Sequence, residues 1–148
     1  MLTVRDIMSA NVFTVDADAS AEEAAWALTR RHIGGAPVRD SRGNLVGVLS
    51  KGDLLNPEPS QWIKGEPTVG DLMNPDILAV YTEDPALAAA VGMSERKVHR
   101  LVVLDEEQKM VGIVTALDVV KAVAAGRNFV VEANDEYPAP SAANTSRR

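Results

Sequence analysis

The sequence predicts a mixed α/β (α+β) fold: two β-α-β-β-α repeats related by a pseudo-two-fold axis and forming one compact module. Three observations predict it. Shifting the chain by 65 residues lays Thr3-Val4-Arg5-Asp6-Ile7-Met8 on Thr68-Val69-Gly70-Asp71-Leu72-Met73. The same ungapped shift lays Val46-Gly47-Val48-Leu49-Ser50 on Val111-Gly112-Ile113-Val114-Thr115 and Asp53 on Asp118, with 14 identities over residues 3–55. Within each copy, one stretch of helical periodicity is bracketed by short apolar runs and polar turns. Such a register, with matching turns, is a tandem duplication.

Each copy opens on a threonine (Thr3, Thr68) that starts one or two helical turns ending at Met8 or Met73. A short strand follows, Phe13-Thr14-Val15 in the first copy and Leu78-Ala79-Val80 in the second. The next helix has defined start signals: Ser20 with Glu23 as a capping box, and Asp84 before Pro85 as first helical residue. Its apolar face is Ala21, Ala24, Ala25 and Leu28, matched by Ala86, Ala89, Ala90 and Met93. Side chains this small imply close approach to another element. Basic residues gather at the helix ends (Arg30, Arg31, His32; Arg96, Lys97), where the dipole favours them. Two strands joined by a polar turn come next: Ala36-Pro37-Val38 and residues 45–49 around 40–44, then 101–104 and 110–114 around 105–109. A last helix covers about 50–55 and about 115–125. The repeats thus occupy 1–55 and 68–125. A linker, 56–67, carries Pro57, Pro59, Gly65 and Pro67, with Trp62 and Ile63 expected to pack onto the repeats. Residues 126–148 form a tail that is largely disordered by composition, with a short strand or subunit contact as one option for Phe129-Val130-Val131.

Composition removes several function classes. The chain has 148 residues and no cysteine, which excludes a disulfide framework, a thiolate zinc site and a cysteine nucleophile. His32 and His99 are the only histidines, so no metal site is expected. A net charge of −6, spread as 7 basic against 9 acidic groups over 1–67 and 8 against 12 over 68–148, argues against nucleic-acid binding, although Arg30, Arg31 and Arg39 form a local basic patch. Aromatics at 4% argue against stacked single strands. No apolar run has membrane-spanning length and the N-terminus lacks a signal peptide's apolar stretch, so a soluble cytoplasmic protein without a membrane partner is expected.

The sharpest local signal is Gly47-Val48-Leu49-Ser50-Lys51-Gly52-Asp53 with its counterpart Gly112-Ile113-Val114-Thr115-Ala116-Leu117-Asp118. In both, a strand ends, a hydroxyl residue follows, and a carboxylate comes three residues later. One account is a capping box at a helix start. The other adds binding: helix N-terminal amides meet an anion, a carboxylate accepts from a vicinal diol, and the glycine lets another group approach the backbone. A ribose phosphate suits that pairing, and capping and binding are compatible.

With these motifs the chain resembles the CBS-domain pair, or Bateman module, over roughly residues 3–125. The two T-V-x-D-h-M openings, Gly35-Ala36-Pro37-Val38-x-Asp40, Val98-His99-Arg100-Leu101-Val102-Val103-x-Asp105 and both G-h-h-S/T-x-x-D stretches carry the resemblance. It implies regulatory sensing of adenosine-containing ligands (AMP, ADP or ATP, with S-adenosylmethionine or NAD as options) in clefts drawing on both repeats. It implies no catalytic residues and no catalytic cofactor. By the same resemblance Asp118, Thr115 and Ile113 form one cleft with Phe13, Ile33 and Gly34, and Asp53, Ser50 and Val48 form the other with Leu78 and Val98. The aspartate holds ribose, the hydroxyl contacts phosphate, and the apolar groups flank adenine. His99-Arg100 resembles a phosphate-holding basic pair, and the first copy has Gly34-Gly35 instead. The second copy also has Val102 in place of Pro37.

Plainer accounts stand beside these roles. His99-Arg100 also suits a capping or surface position, Gly34-Gly35 a helix stop, Lys51 and Asp105-Glu106-Glu107 solvated surface. The Ala-rich helix faces are core or subunit interface, and the resemblance implies a homodimer acting on a regulated partner protein. The alternative function is a structural dimerisation or protein-interaction module with vacant clefts, or clefts of S-adenosylmethionine or NAD type. An enzyme is disfavoured: the chain has no Gly-x-Ser-x-Gly elbow and no phosphate-binding Walker loop, and only His99 with Thr115 offers an acid–base pairing.

Overall fold

The computed structural model describes residues 1–55, 58, 65–131 and 141–143. Trp62, Ile63 and most of the tail lie outside the described residues. The chain divides into two compact units, and the division does not follow the sequence repeat. One unit combines Met1–Val12 with Leu78–Ala143; the other begins at Phe13 and runs through Ile77. Each unit therefore contains the opening segment of the other copy.

In the unit spanning Phe13–Ile77, β1 (Val15–Asp16) pairs in parallel with β2 (Gly35–Arg39), which pairs antiparallel with β3 (Leu45–Ser50). Helix α2 (Ala21–Arg30) connects β1 to β2, α3 (Lys51–Leu55) follows β3, and α4 (Val69–Leu72) comes from the start of the second copy. Leu45, Gly47 and Leu49 alternate inward along β3, while four of the five β2 residues are buried, as expected of a half-covered edge strand and a central strand. Val15, Ala24, Leu28, Ala36, Val38, Leu49, Val69 and Leu72 form the core. The α4 residues Val69 and Leu72 are part of that core, which is why a four-residue helix holds its place.

The other unit repeats this plan. Here α1 (Val4–Ile7) is the borrowed opening, β4 (Ile77–Tyr81) pairs in parallel with β5 (Arg100–Leu104), and β5 pairs antiparallel with β6 (Met110–Thr115). Helix α5 (Ala86–Arg96) connects β4 to β5 and α6 (Ala116–Ala124) follows β6. A seventh strand, β7 (Ser141–Ala143), adds to the β4 edge, giving the order β6-β5-β4-β7. Composition did not mark that strand, and Phe129-Val130-Val131 forms none. Val4, Val80, Ala89, Met93, Leu101, Val103 and Val114 are the core.

Several local predictions hold in detail. The Ser20–Glu23 capping box forms, with the Glu23 N–H donating to Ser20 Oγ at 3.1 Å. Both openings are capped by their own aspartates: the Thr3 N–H donates to Asp6 Oδ2 at 2.8 Å and the Thr68 N–H to Asp71 Oδ2 at 2.9 Å. The bond from the Thr3 amide, above all, holds the Asp6 carboxyl below the usual carboxylate range. In the hairpin turns, Asp40 Oδ1 accepts from the Arg42 and Asn44 amides, and Asp105 Oδ1 from those of Glu107 and Lys109. Bonding to the Asn44 amide, above all, lowers the Asp40 pKa too. One prediction shifts by a residue. Pro85 is the N-cap of α5 rather than its first helical residue, and Asp84 accepts from the Tyr81 N–H at 2.9 Å instead.

The Pro37/Val102 difference has a structural counterpart. β1 joins β2 only at Val15↔Val38 and Asp16↔Arg39, stopping short of Pro37, which has no N–H to give a ladder. In the second copy Val102 restores that donor, and β4 pairs one residue further, at Ala79↔Val102.

The repeat's glycines account for the borrowed openings. A Cβ on Gly47 would stand 2.6 Å from Met73 Sδ and 2.8 Å from the Asn74 carbonyl oxygen. On Gly112 it would stand 2.7 Å from Met8 Sδ and 2.9 Å from the Ser9 oxygen. The bridges Val48↔Asn74 and Ser9↔Ile113 hold the borrowed segments at this distance. The group that approaches the motif glycine is a methionine of the other copy's opening.

Candidate functional site

In the unit containing α6, the motif lies at the step from β6 into the helix. The Thr115 N–H donates to Asp118 Oδ2 at 2.9 Å and the Asp118 N–H donates back to Thr115 Oγ1 at 3.1 Å. Both side chains are half-buried. The β5–β6 register sets Arg100 opposite Thr115, and the Ala116 N–H donates to the His99 carbonyl at 2.9 Å. Hydroxyl, carboxylate and the His99-Arg100 pair thus lie at one end of the β5–β6 pair, with His99 exposed and Arg100 half-buried. Ile113 on β6, Leu78 on β4 and Val98 before β5 are half-buried in the same unit.

The other unit has the same step without the His99-Arg100 pair. The Ser50 N–H donates to Asp53 Oδ2 at 2.8 Å, and the Asp53 N–H to Ser50 Oγ at 3.4 Å. Gly35 stands opposite Ser50, and the Lys51 N–H donates to the Gly34 carbonyl at 2.9 Å. Val48, Ile33 and Phe13 are half-buried here, and Gly34 is exposed. Sequence reasoning did not anticipate one neighbour of Phe13. The Arg31 guanidinium carbon lies 3.9 Å from its ring centroid, the geometry of a cation–π contact.

This geometry decides what the helix start can offer an anion. In α6 the Ala116 amide is used by His99 and the Asp118 amide by Thr115, so the capping account holds. A phosphate would therefore meet side chains more than helix amides. The aspartate keeps a second oxygen: among the described residues Oδ1 of Asp53 and of Asp118 takes no hydrogen bond, and a diol needs such an acceptor.

The CBS domain family profile matches residues 4–57 and 69–125. The L-aspartate semialdehyde sulfurtransferase of Methanocaldococcus jannaschii is 28% identical over 116 residues, which are 78% of this chain and 22% of that enzyme. The inosine-5'-monophosphate dehydrogenase of Aquifex aeolicus is 30% identical over 115 residues, 77% of this chain and 23% of that enzyme. The chain spans less than a quarter of the length of either. Among solved structures, CBSX2 in complex with AMP is similar at 34% identity and a TM-score of 0.72, over 84% of this chain and 98% of that one. The CBS domain pair of protein MJ0100, solved with 5′-methylthioadenosine and S-adenosyl-L-methionine, has 25% identity and a TM-score of 0.73 over 86% and 99%. The expected resemblance and the mixed α+β fold are both supported. No described helix is long and apolar enough to cross a membrane.

Proposed function

The chain belongs to the CBS domain family, and we propose that it is a regulatory module that binds an adenosine-containing nucleotide of the AMP, ADP or ATP type. One observation carries this reading: Thr115 and Asp118 share a strand-to-helix step, with Arg100 paired opposite Thr115 and His99 next to it in the chain, offering a diol acceptor, a hydroxyl and a basic pair. CBSX2 at 34% identity, solved with AMP, supports it. Asp118 and Asp53 take the ribose, and Thr115 and Ser50 contact the phosphate. Ile113, Val48, Phe13, Ile33, Gly34, Leu78 and Val98 supply the apolar flanks of the base. The event is reversible binding whose differential affinity biases the conformation seen by a regulated protein. No chemical step on the ligand is part of it.

The two copies differ in charge, so they differ in ligand. The step with His99-Arg100 favours phosphate-bearing ligands; the step with Gly34-Gly35 binds them more weakly or takes an adenosyl ligand such as S-adenosylmethionine. Calorimetry with AMP, ATP and S-adenosylmethionine on wild type, Asp118→Ala and Asp53→Ala tests both statements. Asp118→Ala is expected to abolish the tighter AMP event and Asp53→Ala to spare it. Equal loss in the two variants overturns the asymmetry, and no heat from any ligand overturns the nucleotide reading.

A second reading, a dimerisation module, is favoured by α6. Leu117, Val120 and Val123 recur at helical spacing and remain 59–61% exposed, an apolar stripe suited to a second copy of this chain. The two readings are compatible in one protein.

A further inference from the structure

Arg31 is the C-cap residue of α2 and is exposed, yet its guanidinium is stacked on the half-buried Phe13 ring at 3.9 Å. The repeat supplies an internal comparison. A shift of 65 residues lays Arg31 on Arg96 but Phe13 on Leu78, so only the first copy has an aromatic ring to hold this cation. The same copy has Gly34-Gly35 where the second has His99-Arg100. Arg31 lies three residues before Gly34, on the side chain proposed above to flank the base.

We infer that Arg31 sets the charge preference of the Phe13 platform, admitting nucleoside phosphates over neutral nucleosides; this rests on the adenine-nucleotide reading above. An adenine stacking on Phe13 takes the ring face that the guanidinium occupies and displaces it. An exposed cation–π pair is worth roughly a two- to fivefold factor, which every incoming base gives up. A neutral nucleoside offers the displaced cation nothing in return. A 5′-phosphate offers it a charge-assisted, bidentate partner stronger than the aromatic ring it leaves. Occupation of the ring by Arg31 thus converts the presence of phosphate into selectivity.

The test compares AMP and adenosine by calorimetry on the full chain, as wild type, Arg31→Ala, Arg31→Lys and Phe13→Leu. Thermal melts of the Arg31 variants are expected within about 2 °C of wild type, because the side chain is exposed. Arg31→Ala should tighten adenosine and weaken AMP, lowering the AMP-to-adenosine preference by more than about threefold. Arg31→Lys should keep part of that preference, since the charge remains but the planar fork is gone. Phe13→Leu should lower it as Arg31→Ala does, and the double variant should add nothing further. A preference in Arg31→Ala within about threefold of wild type overturns the role of Arg31 while the nucleotide reading stands. Absence of binding by wild type overturns both.

Discussion

Replacing Gly112 by alanine tests why each unit borrows the other copy's opening. The added methyl group would stand 2.7 Å from Met8 Sδ and 2.9 Å from the Ser9 carbonyl oxygen. Comfortable separations lie near 3.5–4.0 Å, roughly 1 Å further out. The methionine sulfur can swing aside at little cost, since its side chain is flexible. The Ser9 oxygen cannot. It accepts from the Ile113 N–H at 2.9 Å, and the Ser9 N–H donates to the Ile113 oxygen at the same distance, so backing away strains both bonds. Weakening the two bonds costs about 1 kcal/mol in all, and overpacking adds about 1–3 kcal/mol. A loss of roughly 2–4 kcal/mol follows, a large share of the roughly 5–15 kcal/mol typical of a domain. For a chain of this size it corresponds to a fall in Tm of roughly 5–15 °C. Urea unfolding followed by far-ultraviolet circular dichroism measures it, with Gly52→Ala as control. A Cβ on Gly52 meets only Ser50 Oγ at 3.6 Å, and alanine there is expected to be neutral or to gain up to about 1 kcal/mol. If Gly112→Ala falls within about 0.5 kcal/mol of wild type, the close-approach argument is wrong. Gly47→Ala should behave alike, because Met73 and Asn74 stand against it in the same way.

Two further outcomes follow from the same structure. Asp6 and Asp40 titrate below the usual carboxylate range, so each contributes stability that is present above its unfolded pKa and lost as pH falls through the lower folded value. Carboxyl titration by nuclear magnetic resonance should place both below a free aspartate, and the urea midpoint of Asp6→Asn should fall less steeply on acidification than that of wild type. Val120→Glu sets a charge in the exposed α6 stripe and should weaken self-association at least about tenfold in sedimentation equilibrium while leaving AMP binding intact; an unchanged dimer constant would remove α6 from the interface.

The capping geometry of the candidate site was legible in the chain because its signals are local. Thr115 and Asp118 are three residues apart, as are Ser50 and Asp53, and a hydroxyl and a carboxylate at that spacing reach each other's amides in any helix start. Placing His99-Arg100 beside Thr115 needed the hairpin register, which the tertiary structure supplies. The Arg31–Phe13 stacking carried no such signal. Eighteen positions separate the residues, and a basic residue at a helix end satisfies the dipole equally well without a ring. The β7 strand was missed for a related reason: Ser141-Ala142-Ala143 has weak strand propensity, and its pairing depends on an open β4 edge.

By itself, then, the sequence determined the duplication, the order of elements in each copy, both capping boxes and the charge difference between Gly34-Gly35 and His99-Arg100. Each of these rests on residues close together in the chain or on a repeat visible by alignment. Tertiary structure alone decided which sheet each opening joins. Val4 belongs to the core of Leu101 and Val114, and Val69 to that of Leu28 and Leu49. The openings are nearly identical and so are the receiving strands, each with a glycine bare enough to admit a methionine. Local pattern is the same for either pairing, and only packing in three dimensions distinguishes them.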